Sequence, residues 1–292
     1  MAVQFRPLSF VLGAEVTGVD IRKPIATDVL GEINQGFLQY SVLLFRGTPV
    51  TRAEHIAFSR HFGEVDNNDR AQRIRHPEYH EIQIITSKIK TTTDPNAFAG
   101  QVWHSDQSYS TQPAKATLLH ALDVPPIGGD TMFANMYLAF EALSEPMQKI
   151  VEGLHAVHFG GKARLDNSTP ERAAETARQN LPSAHPLVQV HPETGRKSLF
   201  IGGKVKQIVG MHPDESATLV QFLCNHAAQP RFLYRHQWQK EDVLLWDNRC
   251  TNHIGLGDYD RAYPRNIDRT TVKGLPAGYA YSGPVHYQGP RL

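Results

Sequence analysis

The chain has 292 residues, with 30 basic against 29 acidic side chains and a formal net charge of +1. So even a balance excludes the strong positive field with which proteins grip nucleic acid or an anionic membrane surface. No apolar run reaches the roughly 18 residues of a membrane-spanning helix. Cys224 and Cys250 are the only cysteines, too few for a disulfide framework, and they point to a reduced, cytoplasmic protein. The N-terminus contains the apolar stretch Leu8–Leu12 but no basic region followed by a long apolar core, so it does not read as a signal peptide.

From the N-terminus, Asp28 to Tyr40 places Leu30, Ile33, Phe37 and Tyr40 on one helical face, with Thr27 as its cap. Ser41–Phe45 follows as a buried strand. Thr51-Arg52-Ala53-Glu54 is a capping box that opens a helix reaching about His61. Ile82–Ile85 is a strand-like run, and Ala116–Val124 is an apolar run. Asn135–Leu154 reads as helix, divided near Ser144-Glu145-Pro146. Residues 159–183 are polar and interrupted by Gly160-Gly161, Pro170 and Pro182. They form a long excursion with one short helix at about 170–179, and excursions of this length are often lids. Glu215–Ala227 is helical with Asp214 as a cap. Strands are expected at Pro186–Val190, Ser198–Ile201, Phe232–Tyr234, Asp242–Trp246 and Asp268–Val272. Short strands separated by turn signals imply an all-β sandwich or barrel core with helices covering it, in one domain spanning residues 1–292.

Within this frame Trp103-His104-Ser105-Asp106 is answered far downstream by Trp246-Asp247-Asn248-Arg249-Cys250-Thr251-Asn252-His253. Two imidazoles and one carboxylate can occupy one face of an octahedral ferrous ion and leave positions open for O₂ and an organic ligand. With 15 histidines in the chain, His-x-acid triplets also arise by chance, and His76-Pro77-Glu78, His191-Pro192-Glu193 and His212-Pro213-Asp214 are three more. The last opens a helix, the second sits in a hairpin loop, and the first precedes a strand. Only His104 and Asp106 lack such a structural task. Cys250 reads as a small buried hydrophobe, not a thiolate ligand. His104, Asp106 and His253 would equally serve a zinc hydrolase built around an activated water. A barrel that binds iron or a dicarboxylate without turnover is a further reading.

Other segments carry a resemblance. They are Leu12–Asp20, Phe58-Ser59-Arg60-His61-Phe62-Gly63, Gly128-Gly129-Asp130-Thr131 and Gly195-Arg196-Lys197-Ser198-Leu199-Phe200, closed by Arg265 and Arg269. In this order, together with the two Trp motifs, the chain resembles the taurine/2,4-dichlorophenoxyacetate dioxygenase family of Fe(II)- and 2-oxoglutarate-dependent oxygenases over nearly its whole length. The resemblance implies a mostly β fold with flanking helices around a double-stranded β-helix, the jelly-roll or cupin-like core. It implies Fe(II) on His104, Asp106 and His253, with 2-oxoglutarate as cosubstrate and O₂ as oxidant. It gives Arg265 and Thr131 to the distal carboxylate of 2-oxoglutarate, where a planar guanidinium can donate two parallel bonds. It gives Arg269 to the C1 carboxylate and to the acidic group of the substrate. In a strand Arg265, Ile267, Arg269 and Thr271 share a face.

The resemblance further implies hydroxylation of a small organic anion, with release of succinate and CO₂, by a homo-oligomer (dimer or tetramer). Asn68 and Gly100 stand where a taurine enzyme carries its sulfonate-binding His and an Asn, which argues against taurine. Tyr234-Arg235-His236-Gln237-Trp238 points to an aryloxyalkanoate, with an alkyl sulfate or sulfonate as the other substrate class. Further candidates for substrate contact are Gln107, Arg164 and the group Arg70, Arg73 and Arg75, with Tyr109, Phe159 and Val205 as an apolar wall. The stretch from His253 to Arg265 is one residue longer than in the taurine enzyme. Should that residue shift the register, Arg261 would replace Arg265.

Overall fold

The computed structural model describes residues 2–67, 74–87, 100–160 and 181–285. One sheet orders β1 (Gln4–Pro7), β2 (Ala14–Thr17), β3 (Val42–Phe45), β13 (Val243–Asp247), β5 (Ala114–Asp123), β15 (Asn266–Lys273) and β4 (Gln83–Thr86). A second sheet orders β12 (Leu233–His236), β6 (Thr131–Asn135) and β14 (Thr251–Gly255). A third orders β11 (Val205–Ile208), β7 (His155–His158), β8 (Ser183–Pro186) and β16 (Tyr279–Ala280), and β10 (Lys197–Leu199) pairs with β9 (Val188–Val190). All pairings are antiparallel except β2 with β3.

The large sheet is buried on both faces, and its period-2 alternation shows what each face meets. Leu43, Phe45, Ala116, Leu118, Val243 and Leu245 pack with Ile33 and Phe37 of α1 (Thr27–Tyr40) and Phe58 of α2 (Arg52–Ser59). The alternate residues Val42, Leu44, Leu119, Ala121, Leu244 and Trp246 pack inward with Phe133 of the second sheet. Two opposed sheets thus close over one apolar interior, with helices on the outside, as a jelly roll requires. A further core lies under α3 (Met136–Glu141), α4 (Glu145–Glu152) and α5 (Pro213–Ala227).

The local signals hold with three corrections. Thr51 and Glu54 form the capping box of α2, and Asn135 caps α3 by accepting from Leu138 N at 3.1 Å. Thr27, however, is the first residue of α1; the cap position is Ala26, which makes no side-chain bond. Asp214 likewise lies inside the first turn of α5, and His212 and Glu215 satisfy the exposed N–H groups reciprocally. The strand expected at Pro186–Val190 divides at Leu187 into β8 and β9. The short helix expected at about 170–179, and with it most of the lid-like excursion, lies outside the described residues.

Candidate metal centre

His104 precedes β5 and enters the site through backbone pairing. It is bridged to His253 of β14, with His104 N donating to His253 O at 3.0 Å and His253 N to His104 O at 2.8 Å. β14 is held in turn by β6, with His253 opposite Phe133. Two ligands 149 residues apart in sequence are therefore fixed by the ladder itself, and their rings lie 4.2 Å apart between centroids. The His104 Nδ1 lies 2.7 Å from Val102 O. A carbonyl only accepts, so Nδ1 carries the proton and Nε2 presents its lone pair inward.

Asp106 is oriented by a closed polar ring. Its backbone N donates to Asn248 Oδ1 (3.1 Å), Asn248 Nδ2 donates to Thr117 Oγ1 (2.9 Å), and Thr117 Oγ1 donates to Asp106 Oδ2 (2.6 Å). This leaves Oδ1 facing His104 Nε2 at 3.6 Å and His253 Nε2 at 3.8 Å. Neighbouring octahedral ligands about 2.1 Å from one ion stand about 3.0 Å apart. The two distances to Asp106 exceed that spacing by roughly 0.5–1 Å, and all three donor atoms lie within 4.8 Å of one another.

The electrostatics suit a cation. Burial pushes the Asp106 carboxyl up, but Arg269, His253 and His104 outweigh burial and hold it well below the usual carboxylate range. Burial and the neighbouring His104 push His253 down to about 3, so its ring is neutral with a lone pair free. Two imidazoles and one carboxylate anion form a donor set that fits a divalent ion of intermediate softness.

A second corner lies beside it. Arg265 Nε donates to Gly129 O at 3.0 Å, and its backbone pairs with Ser87 beyond the end of β4. Among the described residues no carboxylate lies within ion-pair distance of this guanidinium, and burial lowers its pKa. Thr131 is buried two residues from that carbonyl and accepts a bond from Trp238 Nε1 at 3.1 Å. Gly129, at φ +69°, allows this approach: a Cβ there would meet Pro125 Cγ at 2.9 Å and Arg265 Cδ at 3.4 Å.

The family described as "Taurine catabolism dioxygenase TauD, TfdA family" matches residues 4–271. The chain belongs to this family. The 2,4-dichlorophenoxyacetate dioxygenase of Cupriavidus pinatubonensis, alpha-ketoglutarate-dependent by its name, is 35% identical over 283 residues, 93% of this chain and 98% of the relative. The (S)-phenoxypropionate/alpha-ketoglutarate-dioxygenase of Sphingobium herbicidovorans is 33% identical, over 94% of this chain and 96% of the relative. The crystal structure of a taurine dioxygenase from Burkholderia xenovorans superimposes with a TM-score of 0.80 at 32% identity, covering 97% of each chain. The protein is a 2-oxoglutarate-dependent dioxygenase on a jelly-roll core.

The structure brings His104, Asp106 and His253 together and sets Arg265 beside Thr131. Arg261 is exposed and stacks on half-buried Tyr259 at 4.5 Å between guanidinium and ring, so the arginine that enters this corner is Arg265 despite the longer loop. Arg269 has a partner that the sequence did not reveal: its Nη2 lies 3.0 Å from Asp106 Oδ1, and its Nε donates to Thr271 Oγ1 at 3.2 Å. The side chains of Arg269 and Thr271 thus share a face, as expected. An external anion is not needed to satisfy Arg269, so the requirement for an anionic ligand rests on Arg265. Gln107 is in the left-handed region at φ 52° and donates to Asp66 Oδ2 at 2.7 Å. Asn68, Arg70, Arg73 and Arg164 lie outside the described residues.

Sequence reasoning missed Thr117 and Asn248 as supports of Asp106. The run Trp246-Asp247-Asn248 was visible, but its link to Asp106 spans 142 residues. A second group of possible metal donors, His191, Asp247 and Cys250, is structural. Both Asp247 oxygens are occupied by Arg249 and His191, and burial pushes the Cys250 thiol far up, keeping it protonated.

Proposed function

We propose that the chain holds Fe(II) on His104 Nε2, Asp106 Oδ1 and His253 Nε2, binds 2-oxoglutarate through Arg265 and Thr131, and hydroxylates a small organic anion other than taurine. The observation that carries this reading is the pairing of the two corners. A three-donor face accompanies a half-buried guanidinium that has no acidic partner among the described residues, and a cation partly removed from water without a partner calls for an anionic ligand. With 2-oxoglutarate and O₂, a ferrous ion there supplies the oxidising power to place one oxygen atom in a C–H bond, with succinate and CO₂ as by-products.

The chain's own side chains supply position and charge. Arg265 and the Thr131 hydroxyl take the distal carboxylate. Arg269, oriented by Asp106 and Thr271, keeps Nη1 for the cosubstrate's C1 carboxylate or the substrate's acid. The polar ring around Asp106 stops that carboxylate from rotating away. Gly100 supports the exclusion of taurine: a Cβ there would stand 3.7 Å from His104 Cε1, so the position borders the metal site and offers no amide to an amine. The relatives named for 2,4-dichlorophenoxyacetate and (S)-phenoxypropionate support an aryloxyalkanoate as the first substrate class to test, with alkyl sulfates and sulfonates second.

The test is anaerobic addition of Fe(II) and 2-oxoglutarate, which should give the weak visible charge-transfer band of a chelate. Oxygen is then admitted with aryloxyalkanoates, alkyl sulfates, alkanesulfonates and taurine in separate samples, and succinate is measured. Absence of the band refutes the metal and cosubstrate assignment. Efficient turnover of taurine refutes the exclusion, and turnover of neutral analogues alone refutes the anion requirement.

A further inference from the structure

Trp238 has no part in the reading above, yet its indole touches the cosubstrate corner. Resting on that reading, we propose that Trp238 is a positioning residue for 2-oxoglutarate, acting through the Thr131 hydroxyl. The argument is one of donors and acceptors. Indole Nε1–H can only donate, whereas a hydroxyl has one proton and two lone pairs. Trp238 Nε1 donates to Thr131 Oγ1 at 3.1 Å in a buried setting. One lone pair is thereby occupied, and the hydroxyl proton remains. Among the described residues no acceptor takes that proton. The Thr131 backbone is committed to the ladders opposite His236 and Gly255. The indole therefore presents Thr131 as a donor toward the ligand, and a donor matches a carboxylate. Hydrogen bonds in such a chain also polarise one another.

The indole is itself fixed. His236 meets it edge-on at 4.5 Å and 90° between ring planes. The His236 ring is buried, with Nδ1 3.1 Å from Tyr234 OH. Nε2 lies 3.4 Å from Asp242 Oδ2, and Asp242 is held by Arg46 Nη1 at 2.8 Å and Gln239 N at 2.9 Å. A side chain needed only to fill space would not require its single polar atom to meet a hydroxyl assigned to the cosubstrate.

The experiment replaces Trp238 with 3-benzothienylalanine, which keeps the bicyclic shape but puts sulfur in place of N–H. Trp238→Phe is the genetically encoded counterpart, and each is made with and without Thr131→Val. Binding of 2-oxoglutarate is measured by calorimetry on the Mn(II)-loaded protein, and KM and kcat on the Fe(II) enzyme. The expected result is a roughly tenfold weaker Kd and higher KM for 2-oxoglutarate in the isostere, with kcat at saturation within about twofold, as loss of one hydrogen bond to an ordering group predicts. In the Thr131→Val background the isostere should have no further effect. Equal affinity of isostere and native protein overturns the inference while leaving the Thr131 assignment standing. An equal loss with and without Thr131 also overturns it, because the indole would then act by packing. If Thr131→Val alone leaves the affinity unchanged, the assignment of Thr131 fails and this inference fails with it.

Discussion

At the scale of single residues, the candidate metal donors were legible because their chemistry is local. His104 and Asp106 stand two apart in a segment with no turn or cap signal in the sequence to explain them, and His253 closes a run that begins with a second Trp motif, Trp246-Asp247. What supports them was not legible, because it arrives from other parts of the fold. Gly202 is an example. A Cβ there would stand 2.8 Å from Trp103 O and 3.4 Å from both His104 Cα and Asn252 Nδ2. The backbone at Trp103–His104 cannot yield without moving a ligand that is already bridged to His253. Gly202→Ala should therefore weaken binding of Mn(II) or Fe(II) by about tenfold, the order expected for disturbing groups that orient a metal ligand. Unchanged metal affinity would sink this account. Arg265→Ala tests the other corner. It removes the charged partner of a buried carboxylate and should weaken 2-oxoglutarate binding by roughly 2–4 kcal/mol, read by calorimetry; an unaltered affinity would remove Arg265 from the cosubstrate site.

At the scale of elements, period-2 alternation and capping boxes located most strands and helices, since both signals are properties of contiguous residues. They did not reveal that β13 ends in a clamp on a different segment. Asn248 directly follows β13. Its Oδ1 accepts from Asp106 N and also from Trp246 Nε1 at 3.0 Å, and its Nδ2 donates to Thr117. Asn248→Ala would leave two buried N–H donors without a partner. At about 1–3 kcal/mol for each buried group left unsatisfied, the variant should lose roughly 2–6 kcal/mol of stability by urea denaturation. Metal affinity should fall in parallel because Asp106 loses its anchor. A loss under about 0.5 kcal/mol, within the range of an ordinary surface change, would show that the ring contributes little to either. Where the sequence misplaced caps, at Thr27 and Asp214, a neighbouring residue one or two positions earlier takes the cap position, a scale at which element boundaries are routinely shifted.

At the scale of the whole molecule, the order of motifs along the chain was enough to indicate the fold family, because that order follows the topology of the jelly roll. The acid response of the molecule could not be read from the sequence, since it depends on which histidines the fold buries. His55 lies between α2 and the large sheet, and burial and neighbouring His120 push it down to about 3. His158 on β7 has no hydrogen-bond partner for either ring nitrogen among the described residues, and burial holds it well below the ordinary histidine range. Both are neutral when folded and bind a proton near pH 6.5 when unfolded. Their pKa values are depressed in the native state, so their stabilising contribution is complete above the unfolded value and declines as pH falls through it. Between pH 7 and pH 5 the unfolded chain takes up protons that the folded chain refuses, and each such histidine costs about 2 kcal/mol by pH 5. The pair should thus lower the unfolding free energy by roughly 4 kcal/mol across that interval, in a window where most carboxylates have not begun to titrate. Urea denaturation of the protein at pH 7, 6 and 5 measures the slope directly. A stability that stays flat over these two pH units would mean that His55 and His158 gain protons within the folded protein, and that the burial argued for them does not describe the molecule in solution.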